Sequence, residues 1–412
     1  MADDNLTILS EYFHPESSAT SQLLTRLATG LTDRFDVTNI TAFPHYHAAD
    51  READVPNRET YQDIDIKRVR SSRFDKDELP KRVVNWLSYT LAATVTLLRT
   101  PTDVVLTVSN PPILPAAAWI RRRIHGTPYV YLVHDLYPDI AVELGMVTPG
   151  GLLERSCRRI NGRFLCDATR IIVLGESMCD TILSRYPSVS ESQLEVIHNW
   201  EDESFVGPKP KTENQFAEEH DTVEPFTLIY SGNIGRFHEL KTVIDAVDRL
   251  DDQNRDVRFL IIGEGARKEE LQTYVSDNDI TAVEFLPFQP KERLPESLTC
   301  GDVSVIGIKD GMQGLCVSSK LYSSLATGQP ILAVTGQGDE VAVVVENCEC
   351  GYHVEPGDVD RCVEVIRRWL DDSQIRAEQG TNARECFETR FTFTEAKERY
   401  REVLEDARRT SP

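Results

Sequence analysis

The chain has 412 residues, 40% of them hydrophobic, and carries 67 Asp/Glu against 45 Lys/Arg for a formal charge of −22. That length is too great for one ordinary core and suits two domains of roughly 200 residues each. The acidity disfavours nucleic acid as a partner, and no run of 18 uninterrupted apolar residues offers a membrane span. Residues 1–200 are net −4 and the remainder net −18, so the acidity is concentrated in the second half. Nine cysteines are scattered, with Cys348/Cys350 the only tight pair. A lone C-x-C is weak support for zinc. The odd count and the lack of a secretion signal point to a reducing cytosol, so a cytoplasmic location is expected.

In chain order, LTILSEYF (6–13) opens as a strand, followed by the loop HPESSATS and the helical-looking QLLTRLATGLTDRF. DVTNITAF, DVVLTVS (103–109), YVYLVHD (129–135) and ATRIIVL (168–174) read as further strands. Apolar helical stretches near 116–120 and 152–166 lie between them, and LEVIHNW (194–200) closes the first half. Such strand–helix alternation predicts a parallel sheet covered on both faces. The polar, proline-bearing stretch 201–225 shows no period and is expected to be an interdomain linker. Alternation resumes with FTLIYSG, VRFLIIGEG (257–265), VEFLPF (283–288), DVSVIGI (302–308) and PILAV (330–334), interleaved with helices. The reading is α/β: two doubly wound Rossmann-like domains, 1–200 and 226–385, with ligands expected in the cleft between them outside the strands' carboxyl ends. A charged helical segment, 386–412, follows as a possible brace for the first domain.

SGNIGRF (231–237) places Gly232 and Gly235 after a strand, where the backbone can approach an anion, with Arg236 as a planar donor. IIGEGARKEE (261–270) repeats the design with Gly263, Gly265, Arg267 and Lys268. Neither loop has the G-x-G-x-x-G of a nicotinamide site, and the P-loop pattern is absent, so dehydrogenase and NTPase readings are disfavoured. Ser318 and Ser319 are candidate caps for a helix over 320–327. Lys320 in its first turn opposes the helix dipole; an anion at the helix start and a solvated side chain both account for it. His134 and Asp135 end a buried strand and are candidates for the cleft, with a structural histidine as the rival reading. DIKRVRSSRFDK (65–76) holds five positive charges, and Arg121, Arg122 and Arg123 form another knot. Beside the apolar VVNWLSYTLAATVTLLR (83–99), the residues Lys67, Arg68, Arg70, Arg73, Arg121, Arg122 and Arg123 suit peripheral contact with an anionic membrane at its inner face. A core helix with solvated arginines fits the same residues equally well.

These segments together resemble the group-4 glycosyltransferases of GT-B fold, from about residue 5 to 405. The resemblance is to the branch that builds lipopolysaccharide, other surface glycans and glycoprotein glycans. It is carried by VSNPPILPAAAWI (108–120), HDLYPDIAVELGM (134–146), YSGNIGRFHELKTVIDA (230–246), FLIIGEG (259–265) and SSKLYSSLATGQPILA (318–333). It implies a nucleoside-diphosphate sugar as donor substrate, with no cofactor or metal, and a lipid-linked or glycan acceptor taken by the first domain with retention of configuration. Gly232, Asn233, Gly235 and Arg236 then match the diphosphate loop and Gly263, Gly265 and Lys268 the second turn. Ser319 and Lys320 match a serine–lysine pair, and Glu340 a glutamate of the C-terminal signature. Glu16 falls in the loop closing over the donor, and His134 and Asp135 fall at the sugar- or acceptor-side polar position. His134, Asp135, Arg236 and Lys320 are thus the implied catalytic set. The chain departs from the family at Leu315 and Ser323, where two glutamates are usual, and at His238, where a lysine is usual. The missing glutamates keep open a weakly active sugar-nucleotide-binding subunit, and a nucleotide-sugar 2-epimerase with a related two-domain fold is the other alternative.

Overall fold

A computed structural model of the protein describes residues 4–410 apart from positions 17, 46–54, 75–78 and 254. Lys76 of the basic segment therefore lies outside the described residues. The chain divides into two compact units, residues 1–198 with 396–412, and residues 199–395.

Unit 1 has, among the described residues, an eight-stranded sheet. Its strands are β1 (Asp4–Leu9), β2 (Phe35–Ala42), β3 (Arg58–Tyr61), β4 (Ile64–Val69), β5 (Val104–Val108), β6 (Tyr129–Val133), β7 (Arg170–Val173) and β8 (Leu194–Val196). They lie in the order β3-β4-β2-β1-β5-β6-β7-β8. Pairing is parallel except between β3 and β4. β5 and β6 are buried at every position, as strands covered by helices on both faces must be.

The β3–β4 hairpin is absent from the sequence reading, which took 65–76 as a basic surface segment. Its two-residue turn is Gln62-Asp63, with φ of 47° and 64°. The backbone is that of a mirror-image hairpin turn, without the Asn-Gly pair that announces one. Two of the expected membrane-facing cations are also corrected. Arg68, on β4, is buried and donates to the carbonyls of Pro56 (3.0 Å) and His14 (2.8 Å) and to the Glu59 carboxylate. Arg121 is buried and donates to the carbonyls of Leu97 (2.7 Å) and Thr100 (3.1 Å) and to Thr127 Oγ1 (3.0 Å). Both guanidiniums are thus spent on carbonyls within the protein and are not free to face a membrane.

The charged tail forms two helices, Ser373–Arg390 and Phe393–Arg409. In the second, Ala396, Tyr400, Val403, Leu404 and Ala407 form a buried stripe that the surrounding charges obscure in the sequence. Its residues from Ala396 onward belong to unit 1, where Glu405 accepts from Arg34 Nε (2.7 Å) and Arg399 pairs with Glu195 (2.7 Å).

Unit 2 contains β9 (Phe226–Ser231), β10 (Val257–Ile262), β11 (Val283–Leu286), β12 (Val303–Gly307), β13 (Ile331–Val334) and β14 (Gly351–Val354). All are parallel, in the order β11-β10-β9-β12-β13-β14. Ranked along the chain this is the 3-2-1-4-5-6 arrangement of dinucleotide-binding sheets, with its switch point between β9 and β12. A disulfide joins Cys348 to Cys386, whereas Cys350, its expected near neighbour, is buried and free.

The stretch 201–225, read as a linker, is folded into unit 2 instead. Phe216 and Ala217 are fully buried against Ile229, Leu260 and Ile262. Asn214 holds the segment in place: its Oδ1 accepts from Phe216 N (2.9 Å) and Ala217 N (3.3 Å), and its Nδ2 donates to Glu296 O (2.8 Å) and Thr299 Oγ1 (3.0 Å). Asn214→Ala should therefore cost about 2 kcal/mol, from a lost cap and buried groups left unpaired. Thermal unfolding of the full chain checks this; an unchanged midpoint would mean that the segment contributes nothing to the folded core.

Candidate active site

The carboxyl ends of β9 and β10 each run into a glycine turn, and the two turns are packed backbone to backbone. Gly232 N donates to Ile262 O (2.8 Å), Ile234 N to Glu264 O (2.8 Å) and Arg267 N to Ile234 O (3.1 Å). Gly263 has φ +150°, and a Cβ there would stand 1.9 Å from the Gly232 carbonyl oxygen. No other residue permits that approach. Gly265 faces Ile234 and Asn233 in the same way. The sequence-predicted residues Gly232, Asn233, Gly235, Gly263 and Gly265 thus form one surface beside the β9/β12 switch point.

Lys320 opens the helix Lys320–Thr327, reached by the loop that leaves β12. Its side chain crosses the switch point. Cε would be 2.9 Å from a Cβ at Gly232, Nζ lies 4.9 Å from the Tyr230 ring centre, and Nζ is 3.3 Å from His238 Nε2. Ser319 precedes Lys320 but does not cap the helix as expected. It already has helical dihedrals (φ −64°, ψ −18°), so its hydroxyl is not turned back to the first turn's N–H groups.

Two residues in this arrangement were not recognised from the sequence as contributors. Tyr230 supplies the ring beneath the lysine, and its hydroxyl donates to Asn233 O (2.6 Å). His238 accepts from Gly235 N at Nδ1 (2.8 Å), which places its ring proton on Nε2, facing Lys320. An ammonium has donors only, so this contact is a hydrogen bond only when Lys320 is a neutral amine. Burial lowers Lys320 to about 8, and burial with the nearby Lys320 and Arg267 charges lowers His238 to about 2. The site is short of negative charge. A bound phosphate would supply it and restore the ammonium.

Arg236 is exposed in the same loop, between Gly235 and Phe237. Lys268 is committed elsewhere: Nζ donates to Glu264 Oε1 (2.7 Å), its partner four residues back on the chain. Glu340 is buried at the start of the helix that follows β13. Leu315, at one of the absent glutamate positions, is fully buried, and Ser323 Oγ, at the other, donates to Lys320 O (3.2 Å).

The remaining predicted residues belong to unit 1. His134 and Asp135 follow β6, and both of their backbone N–H groups donate to Ser109 Oγ (3.0 and 3.1 Å) at the end of β5. Burial pushes His134 down to about 4 and Asp135 up to about 6, so at neutral pH the imidazole is uncharged and the carboxylate is mostly ionised. Glu16 is buried beyond β1, where Oε1 accepts from His45 N (2.5 Å).

The Lys320 geometry predicts proton uptake when a nucleoside diphosphate binds above pH 8. Affinity should fall by up to about tenfold per pH unit there, as the free enzyme gives up the proton that the complex must hold. Calorimetric titration in buffers of different ionisation enthalpy measures the uptake, and Lys320→Met should remove it. Uptake persisting in K320M would assign the proton to another group.

Residues 19–200 match the family described as glycosyl transferase 4-like domain, and residues 211–386 the family glycosyl transferases group 1. The probable glycosyltransferase WbjE of Pseudomonas aeruginosa is 27% identical over 62% of this chain and 63% of its own length. The putative colanic acid biosynthesis glycosyl transferase WcaI of Escherichia coli is 32% identical over 35% of each chain. The chain thus spans less than two thirds of either relative. Among solved structures, sucrose-phosphate synthase from Thermosynechococcus elongatus superposes with a TM-score of 0.78 over 98% of both chains at 15% identity. Anabaena HepE in complex with UDP-glucose does so at 0.72, over 97% of this chain and 99% of its own, at 14% identity. Two family matches that together run from residue 19 to residue 386, over two doubly wound units, place this chain in the GT4-type glycosyltransferase family with a GT-B-like fold.

Proposed function

We propose that the protein transfers a glycosyl group from a nucleoside-diphosphate sugar, held by unit 2, to a lipid-linked or glycan acceptor received by unit 1. The observation that carries this reading is the placement of Lys320 Nζ over Gly232, where two glycine turns meet at the switch point of the sheet. One partly buried cation stands there beside a tight glycine turn, an arrangement that suits a diphosphate. The names of the relatives favour surface-glycan assembly, and the ligand of the Anabaena protein favours a uridine diphosphate sugar.

In the proposed reaction the bond between the anomeric carbon and the β-phosphate oxygen breaks, and the acceptor oxygen bonds to that carbon. The acceptor's proton passes to the departing phosphate, on the same face of the sugar, so configuration is retained. Charge develops on the diphosphate as the bond stretches. Arg236 and Lys320 are assigned to meet that charge, without a bound metal; preorganised charge of this kind often contributes the largest share of catalysis. His134 and Asp135 are assigned to position sugar or acceptor hydroxyls.

Arg236→Ala should lower turnover by roughly 10²–10³, the usual effect of removing one such donor. The side chain is exposed, so the melting temperature should not move. Transfer from radiolabelled nucleotide-sugars into a membrane extract is the assay. Wild-type turnover by a folded R236A protein would remove Arg236 from the mechanism, and interconversion of the nucleotide-sugar without transfer would replace the transferase reading by an epimerase.

A further inference from the structure

We infer that Cys348 and Cys386 form a reversible site of thiol–disulfide exchange with small thiols, and that its state sets how firmly the helix bearing Lys320 is seated. The two sulfurs are joined within unit 2, 38 residues apart in the chain. Cys348 ends the helix Glu340–Asn347, just before β14, and Cys386 lies on the buried face of the helix Ser373–Arg390. No other disulfide occurs among the described residues. Cys350, only two residues from Cys348, is fully buried, and burial pushes its thiol up to about 12. The fold, not nearness in the sequence, selects the pair.

The helix Ser373–Arg390 depends on such a tie. Its buried residues are Gly380, Ala383, Cys386 and Phe387, of which only Phe387 brings a large apolar side chain, so hydrophobic contact holds it weakly. Its other links to the segment after Cys348 are polar: Asn382 Nδ2 donates to Glu349 O (3.0 Å) and Gln379 Nε2 to Gly351 O (3.4 Å). This helix in turn supports the helix Lys320–Thr327. Arg384 Nη1 donates to Ala326 O (2.7 Å), satisfying a carbonyl of the last turn. A Cβ at Gly380 would stand 2.5 Å from Gly328 O, so the two segments meet backbone to backbone. The rings of Tyr322 and Phe391 add a contact with centres 5.6 Å apart. One side of the helix Ser373–Arg390 is thus fixed by the disulfide, and the other side carries the segment that delivers Lys320.

Exchange is open from one sulfur. Cys348 is partly exposed, whereas Cys386 is buried. The thiolate of a small thiol attacks Cys348 Sγ, forms a mixed disulfide there and expels Cys386 as a thiolate. A second small thiolate attacks the outer sulfur of that bond and releases Cys348 as a thiolate. The two small thiols leave as their disulfide, the protein disulfide has gained two electrons, and the two protons end on Cys348 and Cys386. Arg390 Nη1 lies 3.8 Å from Cys348 Sγ. Its charge favours the Cys348 thiolate as a leaving group and, in the reverse direction, as the nucleophile that attacks a small disulfide.

Hydrogen exchange of the full chain, read by mass spectrometry over residues 320–327, tests the inference after oxidation with glutathione disulfide and again after reduction with glutathione. Alkylation before digestion should find Cys348 and Cys386 linked in the first state and as two thiols in the second. Protection of the Lys320 helix should fall by about tenfold on reduction, as a local opening becomes easier. The variant Cys348→Ser should show the low protection in both states. A missing link after oxidation, or protection that ignores reduction, would overturn the inference. So would an equal response to reduction in C348S, which would assign the effect to another cysteine. The consequence for donor binding rests on the proposed function: uridine diphosphate should bind about threefold more weakly to the reduced protein, as fewer molecules hold Lys320 in place. A protein that binds no uridine diphosphate in either state would remove that function, while hydrogen exchange would still decide the exchange site.

Discussion

The amine of Lys320 is held over Gly232, beside a histidine whose remaining proton points at it, and the rest of the unit 2 site is arranged around that contact. A side chain at Gly232 would occupy the lysine's path, and one at Gly263 would drive the two turns apart. Lys320 opens its helix, so the charge is supplied by one segment and the glycine turn it stands over by another. Partial burial weakens the ammonium, and the neutral His238 ring offers it no acceptor, so its immediate surroundings are short of negative charge. Under the proposed function an anionic ligand would supply that charge. Such a site favours the ligand state in which negative charge is greatest, which in glycosyl transfer is the departing diphosphate.

Arg267 contributes indirectly. It donates to His238 O at 2.5 Å and to Glu270 through Nε and Nη2 (3.1 and 2.8 Å), fixing the loop that carries the histidine. The lysine's surroundings are therefore braced by a side chain that does not face the ligand space. The position at which the family usually has a lysine is His238 here, and the cation beside it comes from Lys320, 82 residues further along the chain. A substitution that looks like the loss of a charge in the linear sequence is, in the fold, a charge supplied from another strand's loop.

Much of this was legible in the sequence. Buried strands such as YVYLV and FLII announce themselves by unbroken apolar runs, and the glycine turns stand directly after β9 and β10, so the two sheets and these turns could be placed in advance. Three features could not. The β3–β4 hairpin turns on Gln62-Asp63, which gives no local turn signal. The 201–225 stretch is anchored by buried residues at irregular spacing, Val206, Asn214, Phe216, Ala217 and Thr222, which make no period. Arg68 and Arg121 look like surface cations in a basic run, yet each bonds to backbone carbonyls from other segments. Burial of a charge depends on partners distant in the chain, and local spacing carries no record of them. The helix Leu79–Leu98 is the converse case: in the sequence its apolar residues fit a core helix and a surface helix equally, and in the fold Val83, Val84, Leu87, Leu91 and Val95 face outward while Tyr89, Ala93 and Leu97 are buried.

Diffraction from crystals of the protein soaked with a uridine diphosphate sugar tests the central claim most directly. The account predicts density for the diphosphate against the 232–236 turn, with Lys320 Nζ turned from His238 to within hydrogen-bonding distance of a phosphate oxygen. A diphosphate bound elsewhere in the chain, with the Lys320–His238 contact undisturbed, would contradict it.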